Sequence, residues 1–258
     1  MLRIAIASVF MYSACAHAAT TSATVNISNT NFDGGMGERR IASVETATAF
    51  DKGALVLQAA RGDRNYGSGS EFHGTSFSGT LYYDWNDLIS TRTLISRSSN
   101  DPVFAKSIVD QDVTFKVIPR TTLTAGFRHA EYLDGVDLDA WNVAVAHYMP
   151  RVMVRYRHTR HRLSGSGSGY GNLLMAKLKD GSGDGYTQLW LGQGTVLQEF
   201  DWSPTALPGD YRSIVIRRVQ PIGKNWMLSF SAGRSWHNTA TLDYAGTTAG
   251  VGLTYRGK

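Results

Sequence analysis

The stretch Asp112-Val113-Thr114-Phe115-Lys116-Val117-Ile118-Pro119-Arg120-Thr121-Thr122-Leu123-Thr124-Ala125-Gly126-Phe127-Arg128 decides the fold. Val113, Phe115 and Val117 alternate with Asp112, Thr114 and Lys116. Beyond the short turn at Pro119-Arg120, Leu123, Ala125 and Phe127 alternate with Thr124, Gly126 and Arg128. Successive strand side chains point to opposite faces, so each half presents one apolar face and one polar or small face. The pattern predicts two strands joined by a tight connection.

The same period of two extends in both directions. Leu55, Leu57 and Ala59 carry it towards the N-terminus, as do Phe77, Gly79, Leu81 and Tyr83. Towards the C-terminus Val152, Val154 and Tyr156 alternate with Met153, Arg155 and Arg157, and Trp226, Leu228, Phe230 and Ala232 alternate with Ser229, Ser231 and Gly233. Convincing helical periodicity is absent, so the chain is all-β. Its punctuation alternates too. Short turns fall at Asp51-Lys52-Gly53, Trp85-Asn86-Asp87, Pro119-Arg120, Met149-Pro150-Arg151, Asp180 to Gly185 and Pro221 to Lys224. Between them lie polar, Gly/Ser-rich loops, the longest from Gln198 to Asp210, and all six prolines fall in turns or loops.

A soluble sandwich gives alternation but has no reason to alternate short turns with long loops. An outer-membrane barrel does, and closure leaves no unpaired edge in lipid. The expected fold is therefore a closed antiparallel transmembrane β-barrel of about fourteen strands, or twelve if two weak segments are loops, with short periplasmic turns and longer extracellular loops. Aromatics near strand ends suit the two membrane interfaces. Tyr83, Trp85, Tyr148, Trp226 and Tyr255 are expected at the periplasmic girdle, and Tyr132, Trp141 and Trp236 at the outer one.

The composition agrees. The chain has 258 residues, 42% hydrophobic and 18% charged, with 27 Gly and a net charge of +5. That is too apolar for a disordered tail, and it contains no run of ~18 apolar residues that would make a spanning helix. Met1 to Ala18 reads as a secretory signal peptide, with Arg3 as its basic start, Ile4 to Cys15 as its apolar stretch and Ala16-His17-Ala18 as its cleavage pattern. Residues 19–258 are then the barrel. Cys15, the lone cysteine, admits a lipoprotein reading, but Tyr12-Ser13-Ala14 lacks the leucine usual before a lipidated cysteine. Near the C-terminus, Thr248, Gly250, Leu253 and Tyr255 fit the signature read by the barrel-assembly machinery, although Arg256-Gly257-Lys258 follow the aromatic that is usually last.

The chain resembles the YaiO family of Gram-negative outer-membrane proteins. The resemblance rests on Asp101-Pro102-Val103-Phe104-Ala105, Asp139-Ala140-Trp141, Gly185-Tyr186-Thr187-Gln188-Leu189-Trp190-Leu191 and Asp201-Trp202-Ser203-Pro204. It implies an outer-membrane β-barrel. Some relatives look like repeat proteins fused to such a barrel, similar to polysaccharide exporters. No catalytic or ligand residues carry over.

With the apolar set facing lipid, the other set faces the lumen. That places Glu45, Gln58, Arg92, Asp112, Lys116, Arg128, Arg155, Arg157 and Arg217 inside. Arg128, Arg155, Arg157 and Lys116 form the expected basic cluster, with Asp112 and Glu45 as its acids. Guanidinium groups hold carboxylate or phosphate bidentately and keep their charge, so such a cluster can select anionic solutes. The competing expectation is that these arginines meet Asp112 and Glu45 in an ion-pair network that plugs the barrel. Small inward residues, Ala144, Ala146, Ser229, Ser231 and Gly233, leave space for water.

His73, His129, His158, His161 and His237 fall near the outer rim beside Asp63, Glu71, Asp101, Asp134, Asp137, Asp139 and Asp243, whereas His147 falls near the periplasmic side. A His–Asp pair there could serve a hydrolase as general base, but no compact nucleophile motif accompanies it. His158 and His161, three apart on a strand, point to opposite faces. The expectation is therefore a non-enzymatic pore for polar, anionic or saccharide-like solutes. The alternatives are a rim hydrolase or a plugged structural barrel acting through its long loop. No catalytic residue, metal site, cofactor or nucleic-acid partner is expected; the partners are outer-membrane lipid and, during biogenesis, the assembly machinery.

Overall fold

A computed structural model describes residues 21–257 apart from 68, 100–102, 133–134, 165–166, 182–183, 197–207 and 239–242. The signal segment and most of the Gln198 to Asp210 loop therefore lie outside the described residues. Fourteen strands follow one another: β1 (Thr21–Phe32), β2 (Glu38–Phe50), β3 (Gly53–Asn65), β4 (Glu71–Asp84), β5 (Ile89–Ser98), β6 (Ser107–Ile118), β7 (Thr121–Glu131), β8 (Asp137–Tyr148), β9 (Val152–Leu163), β10 (Gly167–Lys179), β11 (Tyr186–Val196), β12 (Pro208–Pro221), β13 (Trp226–Asn238) and β14 (Asp243–Arg256). Each pairs antiparallel with its sequence neighbours, and β1 closes on β14 through registers such as Val25↔Leu253 and Thr30↔Thr248. At ten to fourteen residues each strand is long enough to cross the hydrocarbon with tilt.

The exposed side chains decide between a sandwich and a membrane barrel. Phe77 is 65% exposed and Ile95 60%, and Val25, Ile27, Val143, Phe230 and Val251 lie open on the same outer surface. A sandwich would bury these residues between its sheets. Here the apolar phase forms an outward band and the polar phase points inward, the inversion required when the solvent outside is lipid.

Aromatic pairs mark the band's edges. Trp226 meets Tyr255 at 5.0 Å and Tyr83 meets Trp85 at 4.9 Å near the ends joined by short turns, while Phe127 meets Trp141 at 5.5 Å in the outer half. Tyr132 departs from the expected outer girdle. It is buried inside with Ala105, Ala130, Leu138, Ala140 and Leu163. The reason is phase: Tyr132 continues the alternation of β7 that turns Arg128 and Ala130 inward, and its N–H still bonds the Val136 carbonyl at 2.7 Å. Two prolines also depart from the turns. Pro208 and Pro221 are the first and last residues of β12, where a missing N–H costs the ladder little.

Candidate functional site

The lumen has two unlike walls. On the first, a polar network spans five neighbouring strands. Arg92 on β5 donates to Asp110 Oδ1 and Asp112 Oδ2 on β6, both at 3.0 Å. Arg128 on β7 donates from Nε to Asp110 Oδ2 at 2.6 Å and again from Nη2. Asn142 on β8 donates to Asp112 Oδ1 at 3.2 Å, and Arg157 on β9 reaches Asp112 Oδ2 at 3.4 Å. Asp110 and Asp112 are only 2% and 3% exposed. Charges removed from water this far must be paired, and here each carboxylate meets two guanidinium groups.

Gly126 makes this bridge possible. It lies on β7 between Asp112 and Asn142 in register, and a Cβ there would sit 1.9 Å from Asp112 Oδ1 and 2.5 Å from Asn142 Nδ2. Towards the outer end the same wall carries the apolar cluster of Tyr132, Leu138 and Leu163, with Ile108 and Val136 packed against it. Ions at mid-height and apolar side chains above them fill this side.

The second wall runs from β11 through β14 and β1 to β3. Along β13, β14 and β1 its inward residues are mostly small or hydroxylated and satisfy one another flat against the sheet, while β11 and β12 turn Trp190, Tyr211 and Val215 inward. Thr24 meets Thr254 at 2.9 Å, Thr30 meets Thr248 at 2.8 Å, and Ser229 donates to the Gly252 carbonyl at 3.4 Å. The space left is a cavity of about 380 Å³ lined only by residues of β1–β3 and β11–β14. It follows β1 from Ser22 to Phe32, and so runs from the periplasmic end of the strand to the outer end. Arg217, Glu45 and Gln58 line it at mid-length and Arg39 near the outer end.

The loop between β5 and β6 reaches the outer end of the lumen and meets the cavity's Arg39. Its ends are tied by Ser98 N to Lys106 O and Lys106 N to Glu131 O, each at 2.9 Å. Its middle folds inward, where Val103 is 1% exposed. Arg39 Nη2 on β2 donates to the Val103 carbonyl at 2.9 Å. Gly62 on β3 makes room, since a Cβ there would lie 2.6 Å from Val103 Cγ1 and 3.0 Å from Phe104 Cζ. Ala105 joins the apolar cluster on the first wall, so this short segment reaches from one wall to the other.

The inward-facing residues anticipated from the sequence are distributed as follows. Arg92, Arg128, Arg157 and Asp112 share the network. Arg155 points inward from β9 opposite Ala146 and Met175. Lys116 is apart, at the periplasmic mouth, paired with Asp84 at 2.6 Å. Glu45 is on the other wall and does not meet the arginine cluster as the plug expectation supposed, because β2 and β6 stand on different sides of the barrel. Thr248 and Gly250 face the lumen; Leu253 and Tyr255 face outward. Asp110, Asn142, Gly126 and Arg39 were not singled out. Asp110 was within reach, being two residues before Asp112 and hence on the same face.

Of the histidines, His129 pairs with Asp139 at 2.8 Å and His73 with Asp63 at 2.7 Å, both on the outward face. His158 faces outward to Asn172 at 2.9 Å, whereas His161 is 2% exposed inside. Among the described residues no group of three or more His, Cys, Asp or Glu is placed to hold a metal ion.

With this geometry in place, comparison with known proteins adds the family. Residues 20–198 match the model of the YaiO membrane beta barrel domain, well over half of the chain. The chain belongs to that family. Solved barrels share the fold at low identity. A CymD monoaromatic hydrocarbon channel is similar at TM-score 0.58 and 8% identity, with 92% of this chain and 88% of that one covered. A bacterial polysaccharide outer membrane secretin is similar at TM-score 0.56 and 10% identity, covering 92% and 98%. An anion-selective porin from Comamonas acidovorans is similar at TM-score 0.51 and 10% identity, covering 93% and 99%. These likenesses show the shared closed-barrel fold.

The stretches that carried the YaiO resemblance now have places. Val103, Phe104 and Ala105 form the inward segment. Asp139-Ala140-Trp141 lies on β8, with Asp139 bound to His129, Ala140 buried inside and Trp141 facing outward. Gly185 to Leu191 begins β11 and brings Trp190 inward against Tyr211 and Val215. Asp101, Pro102 and Asp201 to Pro204 lie outside the described residues.

Proposed function

We propose that this YaiO-family barrel is a non-enzymatic passage for small polar solutes, with preference for anions. The cavity that follows β1 along its length carries the reading, because a barrel packed solid on all sides would have no such space. The charge of the inward face supports the preference. Strand alternation and register turn Arg39, Arg64, Arg92, Arg128, Arg155, Arg157, Arg217 and Arg256 inward, with Lys116, Lys177 and Lys179. The acids of the same face are Glu45, Asp84, Asp110 and Asp112. Asp84, Asp110 and Asp112 are already held by cations of the first wall. Beside the open space Arg39, Arg217 and Arg256 outnumber the one acid there, Glu45, and Arg217 at mid-length is the group placed to meet a passing anion.

The test is electrical. The purified protein in a planar bilayer under a salt gradient should conduct, with a reversal potential on the anion side. Arg217→Glu should move that potential towards cations while leaving the pore open. A bilayer that stays silent with folded protein present overturns the reading.

A further inference from the structure

We infer that the outer half of the barrel's lipid-facing surface, between β9 and β13, binds a phosphorylated glycolipid of the surrounding membrane leaflet. The starting observation is an asymmetry in where outward cations stand. Among the strand residues whose phase turns them outward, Arg40, Arg61, Arg97, Arg160, Arg162, Arg212 and Arg234 lie in the half nearer the long loops. Only Arg218 lies in the half nearer the short turns, and Asp180 neutralises it through two hydrogen bonds of 2.7 and 2.5 Å.

The two sides of the outer half differ. From β2 to β8 four outward acids are engaged: Glu38 with Arg40, Asp63 with His73, Glu131 with Lys106 and Asp139 with His129. Arg61 and Arg97 stand exposed there as single arginines, and Asp137 makes no ion pair among the described residues. From β9 to β13 the arginines stand open. Arg160, Arg162, Arg212 and Arg234 are all exposed, and none makes an ion pair among the described residues. Asp139 is the register partner of Arg162, but its carboxylate is taken by His129. Asp210, two residues beyond Arg212 on the same face, is the acid nearest in sequence.

These four arginines fall into two groups. Arg160 and Arg162 share β9; Arg212 and Arg234 are diagonal neighbours on β12 and β13, through the registers Arg212↔Trp236 and Ile214↔Arg234. β9 and β12 are three strand spacings apart, about 14 Å. Aromatics stand at the same depth. Arg160 is in register with Trp141 on one side and Tyr170 on the other, and Arg234 lies over the Trp236 ring at 5.7 Å. Exposed aromatics at this level mark the membrane interface, and arginine is not stable in hydrocarbon, so the patch sits at headgroup depth. Two guanidinium groups across that distance suit two phosphates on one sugar headgroup, and the rings offer faces for the sugars.

The protein in detergent micelles is titrated with diphosphoryl lipid A and, separately, with the same lipid after enzymatic dephosphorylation, and bound lipid is read by native mass spectrometry. The phosphorylated lipid should bind at least about tenfold more tightly. Arg160→Gln with Arg162→Gln, Arg212→Gln and Arg234→Gln should remove that difference, and Arg218→Gln should leave it. Folding of each variant is checked by its heat-dependent shift in gel mobility, and the comparison of the two lipids on the unmodified protein stands even if the fourfold variant fails to fold. Equal binding of the two lipids, or a difference that survives the four substitutions in a folded protein, overturns the inference. So does displacement of the lipid by inorganic pyrophosphate at equal concentration, which would make the site one for a free anion.

Discussion

The wall from β5 to β9 and the wall from β11 round to β3 enclose one lumen and treat it in opposite ways. The first brings long charged side chains towards the centre and ties them to each other: two buried aspartates, three arginines and an asparagine. The second has at its centre, on β13, β14 and β1, a stretch of mostly Ser, Thr and Gly, whose short side chains bond across neighbouring strands without leaving the sheet. The difference teaches that charge inside a barrel closes space when it is self-paired, and that openness here comes from small residues. Arg217 and Glu45 beside the cavity are exceptions that give the open wall its chemistry.

The contrast breaks most readily at Asp112. Asp112→Ala leaves Arg92 without one of its two carboxylates and takes the carboxylate from Arg157. Removing one partner of a buried ion pair costs about 3–5 kcal/mol. Glu45→Ala on the open wall removes no ion pair among the described residues, and a cost below about 1 kcal/mol is expected there. Urea unfolding of the two variants from lipid vesicles makes the comparison, and equal losses would show that the walls do not differ as described.

A smaller effect sharpens it. Gly126→Ala should cost about 1–3 kcal/mol, since the new methyl group displaces Asp112 or Asn142 from their bond. Gly79→Ala is the control. Its Cβ would meet nothing closer than Leu57 Cδ2 at 3.5 Å, and a change within about 0.5 kcal/mol is expected in the same assay.

The smallest effect belongs to neither wall. In the β10–β11 turn, the hydrogen bonds from Arg218 hold the Asp180 carboxyl below the usual carboxylate range. A carboxyl depressed by folding adds stability above its ordinary pKa and loses it as pH falls through the lower folded value. Asp180→Asn should therefore be slightly less stable than the parent at neutral pH and equal to it in strong acid, read as unfolding midpoints across that range.

Much of this was legible beforehand in particular residues. The inward phase of Arg128, Arg155, Arg157 and Asp112 follows from alternation alone, because a period of two fixes the face once one neighbour is known to be apolar. Tyr132 shows a first limit, of the aromatic-girdle expectation and not of alternation: it shares the inward phase of Arg128 and Ala130, and phase prevails over the preference of an aromatic for the membrane interface. Arg39 and Val103 show a second limit. They lie 64 positions apart, and their contact exists only because β2 and the β5–β6 loop meet inside the closed barrel.

The sequence by itself determined the class and, on the clearly alternating strands, which side faces lipid, since these depend on local pattern and on residues one or two positions away. The choice of fourteen strands over twelve came with the closed barrel. Only the tertiary structure decided that Asp112 belongs to the arginine network and Glu45 to the cavity. Both are inward acids with similar local surroundings. What separates them is the circumference of the barrel, which sets which strands stand within reach of one another.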